Sequence, residues 1–207
     1  MKNFVTLFIL TLLASCANST KQKQALLPIL GEKKLGGASG KDTLYHTIQT
    51  FTFVNQYHDT ITENTIANKI YVADFFFATC QSICPKMSSQ MSIVQSVFKD
   101  DRDVLLLSHT VNPMHDTVEV LNAYAQSYGA IKNKWHFLTG AKKQIYDIAY
   151  KDYLVNALED DGSEEGFLHS ELFILIDKQK RIRGIYDGTD SVAVSKLIAD
   201  IKLLKQE

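Results

Sequence analysis

The feature that most limits the fold is an apolar run from Ile70 to Phe77 that leads directly into a helix-like pattern. A short run that is apolar except for Asp74 is typical of a strand buried on both faces of a sheet. Pro85 then occupies a position favoured in the first turn of a helix, and apolar residues follow it at spacings of three and four. The sequence therefore predicts a β-strand followed at once by an α-helix.

Strands and helices alternate along the rest of the chain. Further strand-like segments are Phe51–Val54, Ile61–Thr62, Val104–Val111, Trp135–Leu138, Leu172–Ile176 and Arg181–Tyr186. Helical segments are Asp116–Gly129, Ala141–Tyr150 and the stretch from Ser191, and Asp116 with Glu119 suggests a capping box. This order implies a largely parallel sheet covered on both faces, with an antiparallel edge near the end. We predict an α/β, thioredoxin-like fold: a central mixed sheet flanked by helices, with an N-terminal β-hairpin.

The N-terminus has the order of a secretory signal. Lys2 precedes an apolar run from Phe4 to Leu13, which is too short to span a bilayer, and small residues follow. The sequence Leu13-Ala14-Ser15-Cys16 resembles the lipobox of bacterial lipoproteins, in which the cysteine is acylated. We predict a lipoprotein signal peptide over residues 1–15 and lipidation of Cys16; an ordinary cleaved signal is the alternative.

Composition after the signal indicates one domain on a tether. Residues 16–41 are polar and glycine-rich without a sustained period, so we expect a flexible tether, and residues 42–207 form the domain. The formal net charge is -1 and no run of Lys or Arg stands out, so nucleic-acid binding is not expected.

Cys80 and Cys84 are the remaining thiols of the domain, and they lie where the buried strand gives way to the helix. The spacing predicts neighbours on one helical face, with both pKa values lowered by the helix N-terminus. Two thiolates favour copper(I), zinc or an iron–sulfur cluster over hard cations. A redox pair and a structural disulfide have the same spacing, so these alternatives stay open.

Several segments together resemble the Sco/SenC family. They are Phe76–Pro85 with its two cysteines and proline, Val111–Thr117, Trp135–Gly140, Leu168–Ser170 and Tyr186–Gly188. The resemblance implies that Cys80, Cys84 and His169 bind copper, as Cu(I) and/or Cu(II). Two residues depart from the family pattern: Gln81 stands where many members have proline, and Asn112 stands where aspartate is usual.

The resemblance also implies a function and a location. It implies a copper metallochaperone that helps to assemble the CuA centre of cytochrome c oxidase, with oxidase subunit II or another copper protein as its partner. The domain would lie outside the cytoplasm on a lipid-anchored protein of the bacterial cell envelope. The alternative is a thiol-disulfide oxidoreductase that acts on partner cysteines through the redox pair Cys80 and Cys84.

Asp74 is the odd residue of the buried strand, six positions before Cys80. Burial among aromatic residues should raise its pKa. By likeness to thioredoxin-like oxidoreductases it is a candidate for proton transfer, and a structural acid satisfied by a lysine or backbone donor is the alternative.

The remaining candidates have simpler interpretations. His109 and His115 lie near the end of the second buried strand and could assist copper, whereas His46, His58 and His136 are expected at the surface. Met87 and Met91 are expected in the core. The acidic stretch at 159–166 is expected to be a solvated loop, or a hinge that moves His169 onto and off the metal.

Overall fold

A computed structural model describes residues 26–36, 42–155 and 170–207 of the 207-residue chain. Its strands are β1 (Lys33–Gly36), β2 (Asp42–Tyr45), β3 (Thr52–Asn55), β4 (Thr60–Thr62), β5 (Ile70–Phe76), β6 (Val104–Thr110), β7 (Trp135–Thr139), β8 (Leu172–Ile176) and β9 (Ile182–Asp187). Its helices are α1 (Cys84–Phe98), α2 (Val118–Ser127), α3 (Lys142–Lys151) and α4 (Ser191–Leu204).

The core of the fold is a mixed sheet with strand order β4-β3-β7-β6-β5-β8-β9 over the described ranges. Strand β6 runs parallel to both β5 and β7, whereas β8 runs antiparallel to β5 and β9 antiparallel to β8. Strands β3 and β4 form the antiparallel hairpin that the sequence predicts. The predicted mixed sheet, flanking helices and N-terminal hairpin are therefore confirmed.

The central strands β5 and β6 are buried along their whole length. They pair residue for residue, from Ile70 with Val104 to Phe76 with Thr110. Since the two strands are parallel, the residues that follow them emerge at one edge of the sheet. Strand β8 is antiparallel to β5, so the chain enters β8 at Leu172 from this same edge.

The two faces of the central strands have different chemistry. Asp74 pairs with Ser108 and Phe75 pairs with His109, and successive side chains of a strand point to opposite faces. Asp74 and His109 therefore lie on opposite faces. Helix α2 covers the face of Asp74, because its Tyr124 packs against Phe76 with ring centroids 5.1 Å apart.

Residues 26–36 fall within the stretch that the sequence predicts to be a tether, but they contact the domain. The buried guanidinium of Arg183 donates to the backbone oxygens of Leu27, at 2.7 Å, and Pro28, at 3.0 Å. Leu30 N–H donates to Ile182 O at 2.9 Å. A buried guanidinium needs acceptors, and local composition gives no sign of such distant partners. No helix in the described part of the chain is long and apolar enough to cross a membrane.

The start of α2 differs from the predicted capping box. Its N-cap is Thr117, whose Oγ1 accepts a hydrogen bond from Val120 N–H at 3.4 Å. Asp116 is buried and bonds elsewhere. The prediction was wrong by one residue because Asp and Thr are both good N-caps, and only tertiary contacts choose between them.

Two of the histidines lie in the core. His136, expected at the surface, is buried on β7, where its Nδ1 accepts a hydrogen bond from Asn55 Nδ2 at 3.1 Å, and burial lowers its pKa to about 4. His109 is also buried, and its ring stacks on Phe75 with centroids 5.2 Å apart. Neither ring nitrogen of His109 has a hydrogen-bond partner among the described residues. Burial lowers the pKa of His109 from 6.5 to about 3.

Replacing His109 with Leu should flatten the pH dependence of stability. The unfolded state binds a proton at His109 below about pH 6.5, whereas the folded state does so only near pH 3. Stability therefore falls as pH falls through this window, by up to about 1.4 kcal/mol per pH unit for one group. Denaturant unfolding between pH 6 and pH 4 should show a smaller loss for His109→Leu. The exposed control His58→Leu should change the slope far less, and equal slopes for wild type and His109→Leu would contradict the assignment.

Candidate metal and redox site

Cys80 and Cys84 meet at the edge of the sheet where β5 ends. Cys84 is the first residue of α1, whereas Cys80 lies in the loop before it, so the two do not share a helical face as predicted. They are nevertheless in contact, because Cys84 N–H donates to Cys80 Sγ at 3.4 Å. Ser82 Oγ lies 3.5 Å from the same sulfur. Both cysteines carry free thiols and are buried.

The two thiols have opposite pKa shifts. Burial raises the pKa of Cys80, but hydrogen bonds from Cys84 and Ser82 outweigh it, so the net pKa lies below that of an ordinary thiol. Burial raises the pKa of Cys84 well above its usual range, and the neighbouring Cys80 and Asp74 raise it further. The expectation that both pKa values fall was therefore wrong for Cys84. Cys80 is the sulfur that ionises first.

Asp74 lies in the buried strand β5, and its charge is one of the causes that raise the pKa of Cys84. Ser108 Oγ donates to Asp74 Oδ1 at 2.5 Å, and Trp135 Nε1 donates to Ser108 Oγ at 2.9 Å. Burial raises the pKa of Asp74 to about 7, although the bond from Ser108 lowers it. The predicted direction of the Asp74 pKa shift is confirmed. The group that donates a hydrogen bond to the Asp74 carboxyl is a serine, rather than a lysine or a backbone group.

Ser108 and Trp135 are site residues that the sequence analysis missed. A signal was present: Asp74 and Ser108 are each the fifth residue of their predicted strands, so aligned parallel strands would pair them. The matching positions predict a contact only if β5 and β6 are known to be neighbours and in register, and the sequence does not show that.

Asp116 is a third site residue that the sequence did not reveal, and it holds the loop before Cys80. Its Oδ2 accepts from Ala78 N–H at 3.1 Å and from Thr110 Oγ1. Its Oδ1 lies 3.0 Å from His115 Nδ1. One buried carboxylate therefore joins the loop after β5 to the loop after β6. Asn112, where the family usually has aspartate, contributes its backbone oxygen, which accepts from Asp116 N–H at 2.9 Å.

The structure brings together only part of the predicted ligand set. Cys80 and Cys84 are in contact, whereas His169, Cys16 and the acidic stretch at 159–166 lie outside the described residues. The described residues contain no group of three or more His, Cys, Asp or Glu side chains that could hold a metal. His109 is on the face opposite Asp74, and His115 is at the same edge as the cysteines.

The segment that enters β8 reaches the same edge. Glu171 O accepts a hydrogen bond from Gly188 N–H at 2.6 Å, so the described chain is held at this point one residue after Ser170. Ser170 is partly buried, and its Oγ accepts from Leu172 N–H at 3.4 Å.

The fold is a mixed sheet flanked by helices, and two thiols with different pKa values lie where a central strand meets a helix. These features define a thioredoxin-like protein with a thiol-based site. The family model SCO1/SenC matches residues 40–206, and the chain belongs to that family.

Solved structures agree with this assignment. A SCO1/SenC family lipoprotein from Bacillus anthracis is 30% identical, with a TM-score of 0.70 over 77% of this chain and 95% of that one. BsSco, described as a member of the Sco family of cytochrome c oxidase assembly proteins with a disulfide switch, is 28% identical, with a TM-score of 0.68 over 79% and 96%. Arabidopsis thaliana ScoI with copper bound is 21% identical, with a TM-score of 0.63 over 77% and 98%, and shares the fold.

Proposed function

We propose that this protein is a copper metallochaperone that helps to assemble the CuA centre of cytochrome c oxidase, with Cys80, Cys84 and His169 as copper ligands. The observation that carries the proposal is the contact between Cys80 and Cys84 at the edge where β5 ends. Family membership supports it, as do copper in one Sco structure and the description of another Sco protein as an oxidase assembly factor.

The chemistry of the sulfur pair suits copper as a cargo. Thiolates are soft ligands and select copper(I) over hard cations, and a thiol loses its proton when a metal binds. Cys80 ionises readily, whereas the raised pKa of Cys84 opposes loss of its proton. Copper binding therefore competes with a proton at Cys84, which favours release of the metal when a partner offers ligands that are already ionised.

The position of Ser170 supports His169 as the third ligand. The chain enters β8 from the edge at which β5 ends, and Ser170 is the described residue next to His169. An imidazole added to two thiolates suits three-coordinate copper better than structural zinc, which usually has four protein ligands.

The variant His169→Ala should separate copper binding from thiol chemistry. We expect copper affinity to fall by at least tenfold, because one of three ligands is lost, while reduction of a model disulfide continues at a similar rate. Copper stoichiometry and competition with a chelator measure the first, and a reductase assay measures the second.

His58→Ala is the matched control, because the side chain of His58 is exposed and pairs with Glu119 at 3.5 Å. Unchanged copper affinity in His169→Ala would rule out His169 as a ligand.

Asp74 favours a second candidate function, thiol-disulfide exchange with partner cysteines. In this reaction the Cys80 thiolate attacks a partner disulfide, forms a mixed disulfide and releases one partner thiolate. Cys84 then attacks Cys80 Sγ, which closes the Cys80–Cys84 disulfide and releases the second partner thiolate. Cys84 must lose a proton for this step, and the buried Asp74, with a pKa of about 7, is poised to accept it.

Changing Asp74 to Asn should slow this exchange and spare copper affinity. We expect a loss of about 100-fold in rate near pH 8, the low end of what a positioned acid or base contributes. The wild-type rate should fall as pH drops through about 7, because Asp74 becomes protonated. The Asn variant should lack that step in its pH profile.

The partly exposed acid Asp147, which pairs with Lys143 at 2.5 Å, gives the control Asp147→Asn. A pH profile for Asp74→Asn that keeps the wild-type inflection near pH 7 would show that Asp74 is only structural.

We propose that acylated Cys16 anchors the protein to a membrane of the bacterial cell envelope, with the domain outside the cytoplasm. The lipobox-like sequence supports the anchor, and so does the Bacillus anthracis family lipoprotein. Oxidase subunit II or another copper protein is the proposed partner.

Cys16→Ser should release the protein from membranes or leave it unprocessed. Several acyl chains hold far more firmly than one, since each buried methylene contributes about 0.8 kcal/mol. Cell fractionation with detection of the chain in the soluble and membrane fractions measures this. The control Cys84→Ser should remain in the membrane fraction, and membrane association of Cys16→Ser equal to that of the wild type would refute the lipid anchor.

A further inference from the structure

The loop between β6 and α2 presents a methionine and a histidine side by side at the edge that carries the cysteines. Met114 is 85% exposed, and the side chain of His115 is 51% exposed. Methionine is usually a buried residue, and Met87 and Met91 follow that rule with no exposed surface. The Met114 thioether is therefore accessible to a ligand from solution.

The imidazole of His115 is oriented as metal-binding histidines are. Its Nδ1 lies 3.0 Å from Asp116 Oδ1. A carboxylate only accepts hydrogen bonds, so in the neutral form of the imidazole Nδ1 carries the proton and Nε2 keeps its lone pair. Histidine ligands commonly donate their other ring N–H to a carboxylate in this way, which fixes the ring and makes the free nitrogen more basic.

The loop itself is held in place beside the cysteine pair. Asn112 O accepts hydrogen bonds from the backbone N–H groups of His115, at 3.1 Å, and Asp116, at 2.9 Å. The Asp116 carboxylate that orients His115 also accepts from Ala78 N–H, two residues before Cys80, at 3.1 Å. The backbone that carries Met114 and His115 is thus fixed, while the long Met114 side chain is free to rotate.

We propose that Met114 Sδ and His115 Nε2 form a second, weaker copper(I) site at the edge of the sheet that carries the cysteines. A thioether selects copper(I) over hard cations, and an imidazole is a good partner for it. Two donors in an exposed loop leave coordination positions open to a third ligand from another protein. That copper passes between this site and Cys80 rests on the proposed function, whereas binding at Met114 and His115 does not.

The full chain without thiols tests the site separately from the proposed function. In Cys16→Ser/Cys80→Ser/Cys84→Ser protein, anaerobic competition with bicinchoninate should reveal one weakly bound copper(I) per chain. Adding Met114→Leu and His115→Gln should lower that affinity at least tenfold, whereas adding His58→Gln should not. No copper(I) retained, or retention unaffected by the Met114 and His115 changes, would overturn the proposal without bearing on the cysteine site.

Methyl NMR of the same thiol-free chain gives a second readout that needs no substitution in the loop. With 13C-labelled methionine methyl groups, copper(I), or silver(I) as its stand-in, should shift the Met114 signal and leave the buried Met87 and Met91 signals in place. A Met114 signal that does not move at saturating metal would overturn the proposal. Equal shifts of the Met114, Met87 and Met91 signals would overturn it as well.

Discussion

The in-register pairing of β5 with β6 is the constraint on which the site depends. It sets Asp74 against Ser108 inside the sheet, and it ends both strands at one edge, where Cys80 and the loop carrying Asp116 follow. The buried Asp116 carboxylate then joins the two loops through Ala78 and His115. A slip of one residue in the pairing of β5 with β6 would turn Asp74 away from Ser108 and break the hydrogen bond between them.

This arrangement makes two chemically similar thiols unequal. Cys80 lies in the loop before α1, where hydrogen bonds from Cys84 and Ser82 stabilise its thiolate, and Cys84 lies deeper, where burial and Asp74 oppose ionisation. One thiol that ionises easily and one that does not suit a site that binds a soft metal and then releases it to a partner. The same inequality suits disulfide exchange, in which one sulfur attacks first and the other resolves, so both proposed functions use one structural asymmetry.

Much of the fold could be predicted from the sequence because its signals are local. Periodicity placed β5, β6 and α1 within one or two residues, and Pro85 marked where the helix starts. The unequal thiols, the role of Asp116 and the docking of residues 26–36 could not be predicted. The docked segment and Asp116 depend on partners distant in the chain, Arg183 for the segment and Ala78 for Asp116. The unequal thiols depend on how deeply the packed structure buries each sulfur. Local composition does not specify either.

The sequence by itself determined strands β3–β9 and helices α1–α4 to within a few residues, the family resemblance and the positions of both cysteines, because periodicity and motif spacing are properties of neighbouring residues. It did not predict β1 and β2. Only the tertiary structure decided which face each polar side chain takes and what surrounds it. Burial then set the pKa shifts: His109 and Asp74 occupy adjacent strands, yet one faces an aromatic cluster without a hydrogen-bond partner among the described residues, and the other faces Ser108. The cost of desolvating a charge depends on the whole packed environment, which no short stretch of chain specifies.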